Sequence, residues 1–314
     1  MKAVVLHEFG GPEVLRIEDV EVPEPIPTEI QVRVVAAGVN PVDCKTRRGQ
    51  GMASVLGEPP LRIGWDVSGV VTAVGDGVTR FAVGEEVFGM PWFPRQAGAY
   101  AEHVTAPSRH FTSKPAVLTH EEAAALPLAG LTAWQMLVDT AHLHSGDDVL
   151  IHGAAGGVGH LAVQIAAARG ANVFATARAE QAGWLAELGA QRTIDYREER
   201  FEELLTGLDV VVDCTGTNGE RSLAALRPGG VLVSVSASAA DGLREQAQSK
   251  EQRAEGILVE PDLVGLEALD HLIEQGQLQV RVDEVFDLDQ VADAHRLAES
   301  SHGGGKIVLR VAPG

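Results

Sequence analysis

Residues 149–170, VLIHGAAGGVGHLAVQIAAARG, decide the fold of this chain. The apolar run Val149–Ile151 is typical of a buried strand, and it leads through a glycine-rich turn into an apolar helix. The turn contains Gly153, Gly156, Gly157, Val158 and Gly159. A strand, a glycine turn and a helix form a dinucleotide site, where N–H groups at the helix start bind a pyrophosphate. The spacing G-x-x-G-x-x-G departs from the standard G-x-G-x-x-G, and the alternative is an ordinary strand-to-helix turn.

The strand after this helix bears on the choice of nucleotide. It is predicted over Asn172–Thr176 and is followed by Ala177 and Arg178. NAD-preferring sites usually place an acid at the end of this strand to bind the ribose hydroxyls. This chain has no acid there, and the nearest one, Glu180, lies past the strand at the start of a helix. Small residues leave room for a 2′-phosphate, with which Arg178 can pair. We therefore predict NADPH, bound partly by Thr176 and Arg178. The alternative is that Arg178 is a solvated surface residue.

Composition limits the classes of partner. The 314 residues suffice for two domains, and 25 basic against 44 acidic residues give a net charge of −19. This charge argues against a nucleic acid or an anionic membrane as partner. Cys44 and Cys214 fit a reducing compartment and form no paired metal motif. The first residues lack the pattern of a signal peptide, and no apolar run is long enough to cross a bilayer. We expect a cytoplasmic protein.

The pattern of apolar and polar residues changes along the chain. Alternating runs such as Ile30–Val34 predict an all-β first part, a partly closed barrel. From Thr119, an expected helix N-cap, helical stretches begin. Strands and helices then alternate, which predicts a parallel, doubly wound sheet. Its candidate strands are Val149–Ile151, Val173–Thr176, Arg192–Ile194, Val210–Asp213, Val231–Val235 and Gly256–Val259. The tail holds two further helices and a strand, Ile307–Val311, that could return to the first domain.

Further candidate ligands follow the fourth and fifth of these strands. They are Thr215, Gly216, Val235 and Ser236. Ligands of open parallel sheets bind outside the carboxyl ends of the strands. We therefore expect these four residues to contact the nucleotide.

Several ordered blocks resemble one family. They are Ala37–Asp43, Gly64–Val71, Val74–Val78, Gly84–Gly89, Gly98–Glu102, Leu128–Ala133, Ile194–Tyr196, Val212–Gly216 and Gly305–Leu309. With the glycine turn, they resemble the medium-chain dehydrogenase/reductase superfamily, and within it the zinc-independent quinone oxidoreductases related to zeta-crystallin. The resemblance implies a GroES-like substrate domain, residues 1–117 and 260–314, and a Rossmann domain, residues 118–259. It also implies hydride transfer from NADPH to a quinone or an α,β-unsaturated carbonyl compound, and a homodimer.

This chain differs from the zinc-dependent members of the superfamily at the positions of the zinc ligands. Zinc alcohol dehydrogenases place a Cys where this chain has Asn40 and a His where it has Trp65. Neither side chain is a useful zinc ligand, so we expect no metal. Without a Lewis acid, alcohol oxidation is disfavoured. A zinc-type alcohol dehydrogenase is thus the weaker alternative, and a second alternative is an NADPH-binding protein with little turnover.

The resemblance also suggests roles for single residues. Asn40 would contact the substrate carbonyl or the ribose, although Asn before Pro also forms simple turns. Thr132 would lie near the nicotinamide, and Tyr100 would contact the substrate or else pack in the core. Tyr196 would lie near the adenosine phosphate. Family members often carry a second basic residue after the Arg178 region, where this chain has Gln181. We expect His142, His144 and His152 to be structural or surface residues.

Overall fold

The computed structural model describes residues 1–300 and 304–312, and the chain divides into two compact units. The first unit comprises Met1–Leu131, Glu260–Glu274 and Val280–Gly314, and the second comprises Thr132–Val259 and Gln275–Gln279. The sequence predicted the first domain boundary after residue 117, whereas this division by contacts falls after Leu131. Among the described residues, no helix is both long enough and apolar enough to cross a membrane.

The strands follow one another along the chain with these bounds: β1 (Lys2–Leu6), β2 (Leu15–Asp19), β3 (Glu29–Val39), β4 (Asp66–Val74), β5 (Glu86–Gly89), β6 (His103–Pro107), β7 (Phe111–Ser113), β8 (Asp148–His152), β9 (Asn172–Ala177), β10 (Arg192–Asp195), β11 (Leu208–Asp213), β12 (Leu226–Ser234), β13 (Arg253–Gly256), β14 (Val282–Asp287) and β15 (Lys306–Arg310).

The helices are α1 (Pro41–Arg47), α2 (Ala53–Leu56), α3 (His120–Ala124), α4 (Pro127–Trp134), α5 (Gly159–Ala168), α6 (Ala182–Glu187), α7 (Phe201–Leu204), α8 (Gly219–Ala225), α9 (Ala237–Asp241), α10 (Arg244–Ser249), α11 (Leu263–Glu274) and α12 (Val291–Glu299). Thr119 caps α3 as predicted, because its hydroxyl accepts a hydrogen bond from the backbone of Glu122.

The first unit is built on a seven-stranded sheet of order β14-β15-β3-β4-β5-β7, in which β6 also pairs with β3. The alternation predicted in β3 is present: Ile30, Val32 and Val34 are buried in the core cluster of this unit. The tail of the chain completes the sheet, because β15 runs antiparallel to β3 with Ile307 opposite Val39. A separate pair, β1 with β2, lies outside this sheet.

The second unit is a six-stranded sheet of order β10-β9-β8-β11-β12-β13. Every pair of neighbouring strands is parallel. This is the doubly wound arrangement, in which the chain starts at a central strand and builds outward first on one side and then on the other. The predicted α/β fold class, a Rossmann sheet with a GroES-like domain, is confirmed.

The predicted strands of the second unit coincide with β8 to β12, and the last one is wrong in its bounds. It was placed at Gly256–Val259, whereas β13 is Arg253–Gly256. β13 pairs only with β12 and lies at the edge of the sheet. An edge strand tolerates polar residues such as Arg253 and Glu255, which interrupt the apolar pattern that a buried strand shows.

The glycine turn between β8 and α5 brings backbone against backbone. Gly153 has a φ of 67°, which favours glycine. The N–H of Gly156 donates to the carbonyl of Gly153 at 2.9 Å. A Cβ added at Gly159 would lie 2.1 Å from the Gly153 carbonyl oxygen. The turn therefore has no room for a side chain at the first residue of α5.

Changing Gly159 to Ala should destabilise the second unit. The added methyl group meets rigid backbone, and overpacking of this kind costs about 1–3 kcal/mol of unfolding free energy. Gly183→Ala is the matched control, since a Cβ at this helical glycine meets nothing within 4 Å. That change should stabilise by up to about 1 kcal/mol. Urea denaturation of the three proteins measures both effects; equal stability of the two variants would contradict the close approach described above.

Candidate functional site

The carboxyl ends of β8 and β11 carry two loops that touch each other. The Gly153 turn follows β8, and the loop of residues 214–218 follows β11. A Cβ at Gly153 would lie 3.0 Å from the Thr215 methyl carbon. Gly216, with a φ of 72°, lies in the same loop. Both predicted groups of nucleotide ligands are thus brought together at the edge where such sheets bind ligands.

Asp213, the last residue of β11, holds the loop that follows it. Its Oδ1 accepts hydrogen bonds from the backbone of Thr215 at 2.9 Å and of Gly216 at 3.0 Å, and its Oδ2 accepts one from Asn218 at 3.0 Å. Burial alone would raise the pKa of Asp213, but a bond from the Thr215 hydroxyl at 2.6 Å and these backbone bonds outweigh burial and hold its pKa below the ordinary value. An ionised carboxylate therefore fixes the loop.

His152, the last residue of β8, fastens three elements together. Its Nδ1 lies 3.0 Å from Thr176 Oγ1 on β9, and its Nε2 lies 3.2 Å from Ser222 Oγ on α8. The Ser222 hydroxyl donates to the Asn218 carbonyl at 2.7 Å, so it must accept from His152. The proton therefore lies on Nε2, and Thr176 donates to Nδ1. Burial lowers the pKa of His152 to about 4, which keeps the ring neutral.

A cationic cluster lies at the ends of β9 and β10. The Tyr196 side chain lies beside the Arg178 guanidinium and raises the pKa of Arg178. Arg178 Nη1 and Arg197 Nη2 each lie 3.8 Å from the same oxygen, Glu180 Oε1. The sequence prediction missed Arg197. The sequence has Gln181 where family members often carry a second basic residue, whereas Arg197 lies in the turn that follows the neighbouring strand β10.

The remaining predicted ligands of the second unit follow β12. Val235 is partly exposed, and Ser236 caps α9 by accepting a hydrogen bond from Ala239 N at 3.3 Å. The Val235 N–H donates to the Asp213 carbonyl at 3.2 Å. The end of β12 is thereby tied to the end of β11. Thr132 is buried in α4.

Asn40 lies in a buried polar cluster of the first unit. Its Nδ2 donates to Asp66 Oδ2 at 2.8 Å, and its Oδ1 accepts a short hydrogen bond from Lys306 Nζ. Asp66 also accepts from the backbone N–H of Leu128 at 2.8 Å. Lysine only donates and an ionised carboxylate only accepts, so the orientation of the amide follows from its partners. Burial raises the pKa of Asp66 and lowers that of Lys306, and their mutual attraction opposes both shifts.

Asp43 and Tyr100 extend this cluster. Asp43 Oδ2 accepts from the backbone N–H of Asn40 at 2.6 Å and from the Tyr100 hydroxyl at 2.8 Å. Tyr100 is fully buried, which is the packing alternative that the sequence left open. Asp43 Oδ1 is buried without a hydrogen-bond partner. Burial, only partly opposed by the two hydrogen bonds, raises the pKa of Asp43 to about 7.

Sequence reasoning assigned no role to Asp43, Asp66 or Lys306, although each is ionisable and buried. The sequence did offer one signal: Asp66 is a charged residue next to Val67 at the start of an apolar strand. Charged side chains are almost never buried unless they are paired, so a partner could have been expected. Trp65 packs edge-to-face on Phe93 at a centroid distance of 5.3 Å. Within residues 1–300 and 304–312, no group of three or more His, Cys, Asp or Glu side chains is placed to hold a metal ion.

Two family models match the chain. The model described as the alcohol dehydrogenase GroES-like domain matches residues 26–116, and the model described as zinc-binding dehydrogenase matches residues 188–309.

Curated proteins of two kinds are similar over nearly the whole chain. The NADPH-dependent alkenal/one oxidoreductase of Arabidopsis thaliana is 34% identical, over 100% of this chain and 80% of its own. The quinone oxidoreductase of Homo sapiens is 31% identical, over 98% of this chain and 97% of its own.

Solved structures agree with these relatives. The quinone oxidoreductase of Coxiella burnetii superposes with a TM-score of 0.93 at 38% identity, covering 99% of both chains. The Escherichia coli quinone oxidoreductase, whose structure holds NADPH, superposes with a TM-score of 0.83 at 29% identity, covering 99% of this chain and 100% of its own.

The buried Asp43 should make stability fall with rising pH. Its pKa is about 7 in the folded protein and has the ordinary value of 3.8 when unfolded. The folded state therefore holds one more proton between these values, and the stability that this proton contributes is lost as the pH rises towards 7. The side chain that Asp43→Asn introduces cannot ionise. The unfolding free energy of this variant should therefore rise relative to that of the wild type as the pH rises to about 7, and the difference between the two proteins should stay constant at higher pH.

Urea denaturation across pH 4.5 to 8 measures the difference between wild type and Asp43→Asn. Asp289→Asn, at an exposed position, is the control and should give a curve parallel to that of the wild type. Parallel curves for the wild type and Asp43→Asn would show that Asp43 does not bind the extra proton.

Proposed function

We propose that this chain, which belongs to the medium-chain dehydrogenase/reductase superfamily and within it to the quinone oxidoreductases, reduces quinones or α,β-unsaturated carbonyl compounds with NADPH. The observation that carries the proposal is the edge of the parallel sheet. There the glycine turn, which cannot accept a side chain at Gly159, lies on the same edge as two arginines.

The residues of this edge fit NADPH. Close backbone approach at the glycine turn leaves N–H groups for a pyrophosphate. Arg178 and Arg197 offer guanidinium groups that suit a 2′-phosphate, with the Tyr196 hydroxyl beside them. The residues that we propose to hold the cofactor are Gly153, Gly156, Gly157, Val158, Gly159, Thr176, Arg178, Tyr196, Arg197, Thr215, Gly216, Val235 and Ser236. We keep Thr132 as a further proposed contact.

The chemistry that we assign to the first unit is electrostatic. NADPH, when bound, supplies the hydride. The Asn40 amide has two Nδ2 hydrogens, and the bond to Asp66 takes one of them. We assign the other to the carbonyl oxygen of the acceptor, which gains negative charge as it is reduced. Tyr100 acts indirectly, by positioning Asn40. Its hydroxyl donates to Asp43, and Asp43 accepts a hydrogen bond from the Asn40 backbone.

We also propose that the reaction needs no zinc, although one of the matching families is described as zinc-binding. Asn40 is a poor zinc ligand, and its oxygen already accepts from the Lys306 ammonium. A buried ammonium beside Asn40 and Asp66 would repel a divalent cation at this position. The carboxylate beside Asn40, that of Asp66, is paired with the same lysine: 3.7 Å separate Lys306 Nζ from Asp66 Oδ2.

We further propose that the protein is a cytoplasmic homodimer that takes a small molecule as substrate. The small number of cysteines supports the location. β13 is an edge strand of the sheet in the second unit, and an edge strand can pair with a strand of another copy. Sedimentation equilibrium measures the assembly, and a monomer at micromolar concentration would reject the dimer.

NADPH should be oxidised in the presence of an activated acceptor. We expect absorbance of NADPH to fall above the blank rate with phenanthrenequinone, benzoquinone or a cyclic enone, and a simple alcohol with NADP⁺ to give no reaction. Dialysis against a chelator should leave the rate unchanged. NADPH binding, detected by its fluorescence, without turnover on any acceptor would favour the alternative of a binding protein with little turnover.

Removing Arg178 should weaken NADPH far more than NADH. A hydrogen bond to a charged group contributes enough that Arg178→Ala should raise the Kd of NADPH by about tenfold or more. Arg197→Ala should act in the same direction, and the Kd of NADH should change by less than about twofold. Arg200→Ala, an exposed arginine paired with Glu202 at 2.9 Å, is the control. Equal losses for both nucleotides would show that the arginines do not bind the phosphate.

A further inference from the structure

Glu180 stands between the two arginines at the end of β9. One of its oxygens, Oε1, lies 3.8 Å from Arg178 Nη1 and 3.8 Å from Arg197 Nη2. The Glu180 side chain is 60% exposed, so water reaches it freely and it can rotate away at little cost. It is therefore a mobile anion at the point where two guanidinium groups converge.

The backbone, and not the ion pairs alone, places these side chains together. β9 and β10 run parallel with Ala177 opposite Asp195. The Asp195 carboxylate accepts from the Ala179 N–H at 3.2 Å and from the Arg197 N–H at 3.0 Å. These bonds link the segments that follow the two strands. The backbone bonds that bring the segments of Arg178 and Arg197 together do not involve Glu180.

The charges of the cluster bear on which nucleotide it prefers. Arg178 and Arg197 carry two positive charges, and Glu180 neutralises one of them. A phosphate monoester brings a charge of about −1.5 to −2 near neutral pH. It therefore repels Glu180 while it is attracted by both arginines. The ribose hydroxyls of NADH carry no charge and create no such conflict.

We propose that Glu180 is a specificity-determining residue that occupies the anion position between Arg178 and Arg197 and that a 2′-phosphate must displace. The inference rests on the proposed dependence on NADPH. Glu180 keeps the two arginines from repelling each other in the nucleotide-free protein, and it lowers the affinity for NADPH relative to NADH. The chain thereby has a weaker preference for NADPH than its two arginines alone would give.

The expected size of the effect follows from the exposure of the cluster. A unit charge several ångströms from a phosphate in a water-like dielectric changes affinity by a small factor, and salt reduces it. Glu180→Gln should therefore tighten NADPH binding by about two- to fivefold at low ionic strength. The gain should shrink at about 0.5 M salt, because the Debye length then falls to about 4 Å, close to the separation of these charges.

The experiment is fluorescence titration of the full-length wild type and Glu180→Gln with NADPH and with NADH. Glutamine keeps the shape of the side chain and removes its charge, and a gain in affinity cannot result from misfolding. Glu187→Gln, an exposed acid at the end of α6, is the matched control for net charge and should change neither Kd. We expect the Kd of NADPH to fall in Glu180→Gln only, with the Kd of NADH unchanged.

Two results would overturn the proposal. An unchanged or raised Kd of NADPH in Glu180→Gln would show that Glu180 does not compete with the phosphate. A weaker NADH affinity in that variant would show instead that Glu180 accepts hydrogen bonds from the ribose. The proposed function fails separately, if the wild type does not bind NADPH or if Arg178→Ala binds it as tightly as the wild type does.

Discussion

The six strands β8 to β13 run parallel, and this single constraint places all their carboxyl ends at one edge of the sheet. Everything in the proposed nucleotide site depends on it. The glycine turn, the loop held by Asp213, and the arginines after β9 and β10 are distant in the sequence. They become neighbours because their strands end on the same side. The hydrogen bonds of His152 then join the ends of β8 and β9 to α8, and those of Asp213 hold the loop after β11.

The sequence predicted the fold because its elements have local signatures. A buried strand, a glycine turn and an apolar helix are visible in one continuous stretch. Arg197 was not predicted, since its neighbourhood with Arg178 is a property of strand pairing. The partners of Asn40 were missed for the same reason: Asp66 and Lys306 are 26 and 266 residues away from it. β13 was misplaced because an edge strand needs no apolar pattern.

The two units solve the problem of buried polar groups in different ways. In the first unit, Asn40 lies between an ammonium and a carboxylate, so that full charges determine how a neutral amide is oriented. In the second, neutral donors and acceptors follow one another from Thr176 to the Asn218 carbonyl. The first solution directs a donor by electrostatic force. The second joins the ends of β8 and β9 to α8 through uncharged groups, while the ionised Asp213 carboxylate holds the neighbouring loop.

The neutral histidine at the end of β8 has a consequence for acid tolerance. Because burial lowers its pKa to about 4, His152 stays largely neutral when the surroundings fall about two pH units below neutrality. An ordinary histidine would become charged over that interval and would reverse the hydrogen bond to Thr176. The hydrogen bonds of His152, next to the glycine turn, are therefore little affected by metabolic acidification. Over this interval a neutral His152 keeps the hydrogen bonds that join the ends of β8 and β9 to α8.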